Sequence, residues 1–410
     1  MKTPLLILVT LTTAALAQDT WEAVPALKAA DILKPEILSG PSHRVLDNVT
    51  TFQGRNHYTI ETPWGYFSAE GDAMLMARIA EARALAEMQN VSRTEAYKEG
   101  VKTAAKAPLN TVRGLVDDPA ETVKGTAKGL WKFAGRAGAS VTGAAKARER
   151  GQGGDKAAKQ LLGMSKAKRE LALQLGADPY SSNEIFQEQL ESIAWVKTAG
   201  AATFQLATMP IGGGAGLALT ATEMSNTFQQ SLRDLSPVDL RLANKKALTA
   251  MGVDAKVADR FLANPAFSPT NQTAFVTALR ALAGVKNRGA FVQLAADIAT
   301  VEADALFCSG TAQLFAALHS GPDKIAAIAT LGGFPVAIAA DGRLVIALQW
   351  DTAFWSERAE QFIERATAAK LGQTGPPVIA LTGAATPRMK AELEKRKIGI
   401  LTNALGGPQK

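Results

Sequence analysis

The amino-acid sequence predicts an α+β protein that is mostly helical, with a small antiparallel β-meander near its start and a small α/β layer containing a β-hairpin near its end. Three observations indicate this class. Residues 44–69 are rich in β-branched and aromatic side chains, the middle third has helical spacing with helix-start signals, and residues 335–401 alternate apolar runs with amphipathic stretches. The expected segments are the meander (18–70), an amphipathic helix region (71–106), a basic region (107–170), a helical domain (171–330) and the α/β layer (331–410).

Residues 1–17 have the features of a secretory signal peptide. Lys2 supplies a positive start, residues 5–14 form an apolar run too short to cross a bilayer, and Ala15-Leu16-Ala17 is a small-x-small cleavage site. We therefore expect an exported protein, periplasmic or secreted, whose mature chain begins at Gln18.

The meander is predicted from β-forming residues 45–52, a turn at 54–56, alternation over 57–62 and a second turn at 63–65. Its aromatic residues would form either the core of the sheet or a binding face, and the core is the simpler interpretation; they are Phe52, Tyr58, Trp64, Tyr66 and Phe67. From residue 70 the apolar period becomes helical.

Helix-start signals mark the middle of the chain. Ser236-Pro237 and Ser268-Pro269 each place an N-cap serine before a proline, and Gly284 is a stop signal. The single cysteine, Cys308, lies in an apolar stretch. We interpret it as a core residue rather than a nucleophile or cross-link, and one cysteine excludes an intrachain disulfide.

The α/β layer is predicted from two apolar runs around Asp341-Gly342, followed by helix 356–369, strand 377–382, a helix opening at Thr386 and strand 398–401. Ligands of such layers bind beyond the carboxyl ends of the strands. Asp351, Thr382 and Gly383 are therefore candidate ligand residues, with the N–H groups of Thr382 and Gly383 holding an anion. The simpler interpretation is an ordinary helix cap with Asp351 facing solvent.

Signatures of catalysis and of cofactor binding are absent from the sequence. His43, His57 and His319 have no partners at metal-ligand spacing, and neither a nucleophile elbow nor a phosphate-binding loop occurs. We therefore expect no cofactor, no metal and no catalytic residue, and we favour a non-enzymatic function.

A run without charge extends over residues 198–222. Its length fits a membrane span, but its proline, glycines and threonines offset most of the favourable free energy of membrane insertion that its apolar residues provide. A buried helix, a glycine-rich loop and a second helix is the favoured interpretation.

Positive charge is concentrated in one part of the chain. Residues 97–169 contain 16 Lys or Arg and 6 Asp or Glu, a net charge of +10, whereas the whole chain has +7, so the remainder carries −3. Such concentration indicates a surface that meets anions. Because the protein is expected to be exported, a membrane surface or an anionic envelope component is a better partner than nucleic acid.

Within this region, residues 109–141 have an amphipathic helical pattern. At 100° per residue, an apolar stripe lies within about 40° of Val123, formed with Leu109, Val112, Val116, Leu130, Ala134, Ala137 and Val141. The candidate surface-binding residues are the basic Arg113, Lys124, Lys128, Lys132 and Arg136 and the boundary aromatics Trp131 and Phe133. Basic residues on one face and aromatics at its edge favour a helix in a membrane interface, where each basic residue contributes about 1 kcal/mol.

An eleven-residue repeat maintains this stripe. Pro108-Leu-Asn-Thr-Val-Arg-Gly114 returns as Pro119-Ala-Glu-Thr-Val-Lys-Gly125, and eleven residues make close to three helical turns. Over about forty residues the pattern resembles the repeats of apolipoprotein- and synuclein-type lipid-binding helices. That resemblance implies a helix formed against a lipid surface.

These observations lead to one leading hypothesis and two alternatives. The leading hypothesis is an exported, non-catalytic envelope-associated protein that engages membrane or another anionic surface through its basic helices. The first alternative is an interaction module that docks a partner protein through 107–147. The second is a hydrolase-like enzyme with its site at the strand ends near Asp351 and Thr382. A further alternative is that the apolar stripe of residues 109–141 packs on the protein's own core.

Overall fold

A computed structural model describes residues 20–104, 155–199, 203, 222–322, 324–369 and 371–410, with the backbone alone for 155–164 and 222–225. Across these ranges helices surround two principal β-sheets, which confirms the expected α+β class. The residues predicted to form a signal peptide (1–17), those predicted to form a basic amphipathic helix (107–147) and nearly all of the uncharged run at 198–222 lie outside the described residues. No helix of the described ranges combines the length and the apolar character needed to cross a membrane.

The N-terminal sheet is antiparallel throughout, so the predicted meander is confirmed. Its elements are β1 (Leu27–Lys28), the short helices α1 (Ala29–Ile32) and α2 (Pro35–Leu38), β2 (Ser39–Gly40), β3 (His43–Val45), β4 (Asn48–Phe52), β5 (Arg55–Thr62) and β6 (Gly65–Glu70). The strand order is β1-β4-β5-β3-β2, and β6 pairs with β5. The β4–β5 turn consists of Gln53 and Gly54, both at positive φ (51° and 81°), as a tight hairpin turn requires.

The aromatic residues of this sheet divide between core and surface. Tyr58, Trp64 and Phe67 are buried, as the core interpretation predicts. Phe52 of β4 and Tyr66 of β6 are 58% and 57% exposed, because each lies on the face of its strand that points away from the core.

Four helices follow the N-terminal sheet: α3 (Asp72–Ser92), α4 (Glu95–Ala104), α5 (Asp155–Gln174) and α6 (Glu184–Ala199). Helix α3 packs on β5 and β6, α6 packs on α3, and α4 and α5 pack on α6. Ile60 of the sheet, Ile79 of α3 and Leu190 of α6 belong to one hydrophobic core. Asn183 caps α6, because its Oδ1 accepts from Phe186 N at 3.3 Å.

Six further helices follow: α7 (Thr222–Asp234), α8 (Pro237–Ala250), α9 (Ala255–Ala263), α10 (Pro269–Ala281), α11 (Arg288–Ile298) and α12 (Glu302–Ser320). The predicted caps are confirmed, because Ser236 Oγ accepts from Asp239 N and Ser268 Oγ accepts from Asn271 N. Phe275 contacts Phe261 and Phe291, with ring centroids 5.0 Å away in both cases. Aromatic packing thus fixes α9, α10 and α11 together.

The C-terminal sheet has the order β13-β11-β9-β8-β7. Its elements are β7 (Ile325–Leu331), β8 (Phe334–Ala339), β9 (Arg343–Leu348), β10 (Thr352–Ala353), α13 (Glu357–Ala368), β11 (Gly375–Leu381), β12 (Ala384–Ala385), α14 (Pro387–Lys395) and β13 (Gly399–Leu401). The hairpin at Asp341-Gly342 and the parallel strands that follow it are confirmed. Sequence reasoning missed β7, which a second hairpin at Gly332-Gly333 joins to β8.

Helices cover both faces of the C-terminal sheet. Val345 and Ala347 of β9 belong to the core shared with α9–α12, whereas Ile346 and Leu348 belong to the core beneath α13 and α14. Burial on both faces explains why β9 reads as a continuous apolar run. The helical segment 171–330 therefore contributes to two cores, one with each sheet.

Cys308 is fully buried in α12, as a core residue is expected to be. Burial raises the pKa of its thiol, with a smaller contribution from Asp304. Burial and the raised pKa both disfavour the thiolate, which is the nucleophilic form of cysteine.

Candidate functional site

A groove of about 780 Å³ lies between the N-terminal sheet and the C-terminal α/β layer. Seven aromatic side chains line it, and we call it the aromatic groove: Trp21, Phe52, Phe307, Phe334, Trp350, Phe354 and Phe362. Its volume falls within the range of about 300–1,000 Å³ that is typical of sites for small organic ligands.

The floor of the groove is a row of packed rings. Phe334 at the start of β8 lies edge-on to Phe307 of α12, with centroids 6.1 Å apart, and contacts Phe362 of α13 at 4.8 Å. These rings come from three elements of two different cores, so the floor is rigid and apolar.

One wall is the hairpin turn between β4 and β5. Phe52 projects from this wall and is 58% exposed. Gly54 packs directly against the indole ring of Trp350, so that a side chain at position 54 would overlap the ring. Gly54 O also accepts from the backbone N–H groups of Asp351 and Thr352, at 2.8 and 3.1 Å. The turn is thereby attached to the segment that follows β9.

The N-terminal segment also lines the groove, through Trp21, Glu22 and Val24. Glu22 anchors it: its backbone N–H donates to Trp355 O at 2.7 Å, and its Oε2 accepts from Trp355 N at 2.5 Å and Thr386 Oγ1 at 2.7 Å. Trp21 Nε1 donates to Glu360 Oε2 at 2.8 Å. Trp21 nevertheless stays 39% exposed, and Val24 is 60% exposed.

Charged side chains border the groove in two groups. Arg55 is neutralised by Glu70 at 2.9 Å and Asp304 at 3.7 Å. Arg358 and Arg365 of α13 are exposed, and neither forms an ion pair with a carboxylate of the described chain. Arg365 Nε donates to Gln361 O at 3.2 Å. The two arginines thus place positive charge at one rim of an apolar groove.

A buried pair of carboxyl groups lies beneath the turn wall. Asp351 Oδ2 accepts from Asn56 N at 2.8 Å, and its Oδ1 accepts from Asp72 N at 3.2 Å. Asp72 accepts from Tyr58 Oη at 2.6 Å and from Gln409 Nε2 at 3.0 Å. This network, the Asp72–Asp351 cluster, joins the N-terminal sheet, the start of α3, the exit of β9 and the C-terminal tail.

Burial sets the protonation of this cluster. Burial raises the pKa of Asp72 to about 6, against the opposing effect of the hydrogen bonds from Tyr58 and Gln409. Burial, and next the neighbouring Asp72, raise the pKa of Asp351 well above its usual value, although two backbone N–H groups favour its ionised form. Both carboxyl groups are buried, and neither lines the aromatic groove.

The structure buries Asp351, and the interpretation that it faces solvent is wrong. Its side chain caps the N-terminus of α3, where a carboxylate is favourable. Thr382 N and Gly383 N donate to Leu348 O at 3.2 Å and Trp350 O at 2.9 Å, so neither is available to an anion. Thr386 does cap the following helix, as predicted, because its Oγ1 accepts from Met389 N at 3.1 Å.

The other predicted site residues lie outside the described ranges: Arg113, Lys124, Lys128, Trp131, Lys132, Phe133 and Arg136. Sequence reasoning missed most of the aromatic groove, although Phe52 was among the aromatics considered for a binding face. A usable signal was Trp350, an aromatic residue directly after a buried strand, where ligand sites of α/β layers occur.

Within the described ranges, no group of three or more His, Cys, Asp or Glu side chains is arranged to hold a metal ion. The chain was also compared with known proteins. No family model, no curated protein and no solved structure matches it.

Proposed function

We propose that the protein is a non-catalytic binding protein that takes the apolar part of a small organic ligand into the aromatic groove. The observation that carries this proposal is the exposure of three large apolar residues at one concave site. Trp21, Val24 and Phe52 are 39%, 60% and 58% exposed, and all three line the groove. Exposed apolar side chains gathered in a concave site mark a ligand site, whereas scattered ones carry no such meaning.

The polar groups of the groove support binding rather than catalysis. Its described lining contains no histidine or cysteine. The hydroxyl of Ser356 accepts from Ala359 N and caps α13, and that of Thr51 donates to Asn56 Oδ1. Glu22 accepts two hydrogen bonds, and Asp304 accepts from Thr300 and Val301. An activated nucleophile requires a free hydroxyl or thiol beside a base, and these groups already have structural partners.

The test is fluorescence titration of the full chain with N-phenyl-1-naphthylamine, a neutral aromatic probe that brightens in apolar sites. We expect saturable binding that Phe52→Ser weakens about 5-fold or more, since the ring offers tens of Å² of contact. Tyr66→Ser is the matched control, because Tyr66 lies in the same sheet, is equally exposed and is outside the groove lining. Equal losses in both variants, or no saturable binding by the parent, would overturn the proposal.

A second proposal concerns residues 107–147, and its support is the amphipathic basic pattern of the sequence. We propose that this segment holds the exported protein against an anionic envelope surface. Deleting 107–147 should abolish binding to vesicles that contain phosphatidylglycerol and leave binding of the neutral probe intact. Vesicle binding that survives the deletion would contradict this proposal, and capture of a specific protein by 107–147 instead would favour the interaction-module alternative.

A further inference from the structure

The aromatic groove has a charged rim that the apolar proposal does not use. Arg358, Gln361 and Arg365 are spaced three and four residues apart on α13, so they form one exposed stripe along the edge of the groove. All three line the groove above Phe362.

The helix dipole favours a cation at the position of Arg365 but not at the position of Arg358. Ser356 caps α13, so Arg358 lies in the first turn, where the helix dipole disfavours a cation. Arg365 lies in the last turn, where a cation is favourable. Arg358 therefore has an unfavourable position in its own helix, and it forms no ion pair with a carboxylate of the described chain, although Glu357 and Glu360 lie in the same turn.

The carboxylates around the groove are already engaged. Asp304 interacts with Arg55, Glu22 accepts hydrogen bonds from Trp355 and Thr386, and Glu357 Oε1 accepts from Gln361 Nε2 at 3.2 Å. Glu357 is exposed as well and keeps its negative charge, so Arg358 and Arg365 are the exposed positive charges of the rim. A guanidinium binds an oxyanion with parallel N–H donors, which makes the rim suitable for an anionic head group.

We propose that the natural ligand of the aromatic groove is an amphipathic organic anion. Its aromatic or alkyl body lies on the row formed by Phe307, Phe334 and Phe362, and its carboxylate, sulfonate or phosphate group is bound by Arg358 and Arg365. This inference rests on the proposed binding function and adds the charge of the ligand to it.

The test compares two probes that differ by one charged group. 8-Anilinonaphthalene-1-sulfonate carries a sulfonate, whereas N-phenyl-1-naphthylamine is neutral and otherwise similar. Arg358→Gln and Arg365→Gln should each weaken binding of the sulfonate about 3- to 10-fold and leave the neutral probe unchanged, because an exposed charged hydrogen bond contributes modestly. Arg241→Gln, an exposed arginine of α8 outside the groove, should change neither.

The outcomes separate the two proposals. Saturable binding of both probes that is insensitive to both glutamine variants would overturn the anionic head group and leave the binding function standing. Absence of neutral-probe binding in the parent would overturn the binding function itself. Equal weakening of both probes by Arg358→Gln would show a role for this residue in packing, not in charge recognition.

Discussion

Asp351 accepts the backbone N–H of Asp72 at 3.2 Å, across 279 positions of sequence. A side chain at the end of a C-terminal strand thus caps the long helix that follows the N-terminal sheet. The same carboxylate accepts from Asn56 N, and its own main chain donates to Gly54 O. The wall of the aromatic groove is therefore positioned by a carboxyl group that does not line the groove.

Asp351→Asn is expected to lower the free energy of unfolding by about 1–3 kcal/mol, because the amide NH₂ would face a backbone N–H and leave one buried donor unsatisfied. Urea denaturation monitored by circular dichroism measures the change. Asp297→Asn is the control, since its ion pair with Arg260 is exposed and should contribute less than about 1 kcal/mol. A stability equal to that of the parent would contradict the capping role.

Asp72 should make stability depend on pH with a defined sign. Its pKa is about 6 in the folded protein and near 3.8 when unfolded, so the folded state binds the proton more tightly. The contribution of Asp72 to the free energy of unfolding is therefore greatest below about pH 4. It decreases as the pH rises from about 4 to about 6, and it is constant at higher pH. Denaturation of the parent and Asp72→Asn between pH 4 and 8 measures it. The parent should lose stability relative to the variant over this range, and a constant difference would exclude the effect.

Gly54→Ala is expected to lower stability by about 2–4 kcal/mol and to weaken ligand binding. The new methyl group combines a left-handed backbone, at about 1 kcal/mol, with overlap of the Trp350 ring. Gly252→Ala is the matched control: Gly252 has φ 78° against 81°, and nothing lies within 4 Å of its added carbon. Calorimetry of both variants isolates the ring contact as the difference between them. Equal losses would show that the backbone alone is responsible.

Export is tested by the mass of the mature protein. Expression of the full chain in a Gram-negative host should yield a periplasmic product that begins at Gln18, because signal peptidase cleaves after a small-x-small site. Intact-mass spectrometry of the periplasmic fraction identifies the N-terminus. Replacing Ala15 and Ala17 by bulky residues should block cleavage. An uncleaved cytoplasmic product from the natural sequence would contradict the prediction.

Local signals predicted much of this fold. Ser236, Ser268 and Thr386 each cap a helix whose first residue is proline, and Asp341-Gly342 forms a hairpin turn, because both features depend on neighbouring residues alone. The Gly332-Gly333 turn and the strand before it were missed, although Gly321-Pro322 ends α12 and residues 325–331 form a separate apolar run.

The site was less predictable, because its contacts are distant in sequence. Asp351 follows a strand, which suggested solvent exposure, but its partners Asn56 and Asp72 lie 295 and 279 positions away. Phe52 is an aromatic residue in a strand, like the buried Tyr58 and Phe67, and the sequence does not show that its side of β4 is exposed. The charge of Arg358 is visible in the sequence, whereas the aromatic floor beside it is assembled from three separate elements.

Each end of the described chain is fastened to the opposite half of the molecule. Glu22 holds the N-terminal segment to the C-terminal layer. Gln409 holds the tail to Asp72 at the start of α3, and Lys410 holds it to α1, with Lys410 N donating to Ile32 O at 2.9 Å. A pulling force applied to the two ends would load these attachments before it reached either core. The mechanical weak points of the protein are consequently the wall of the aromatic groove and the Asp72–Asp351 cluster beneath it.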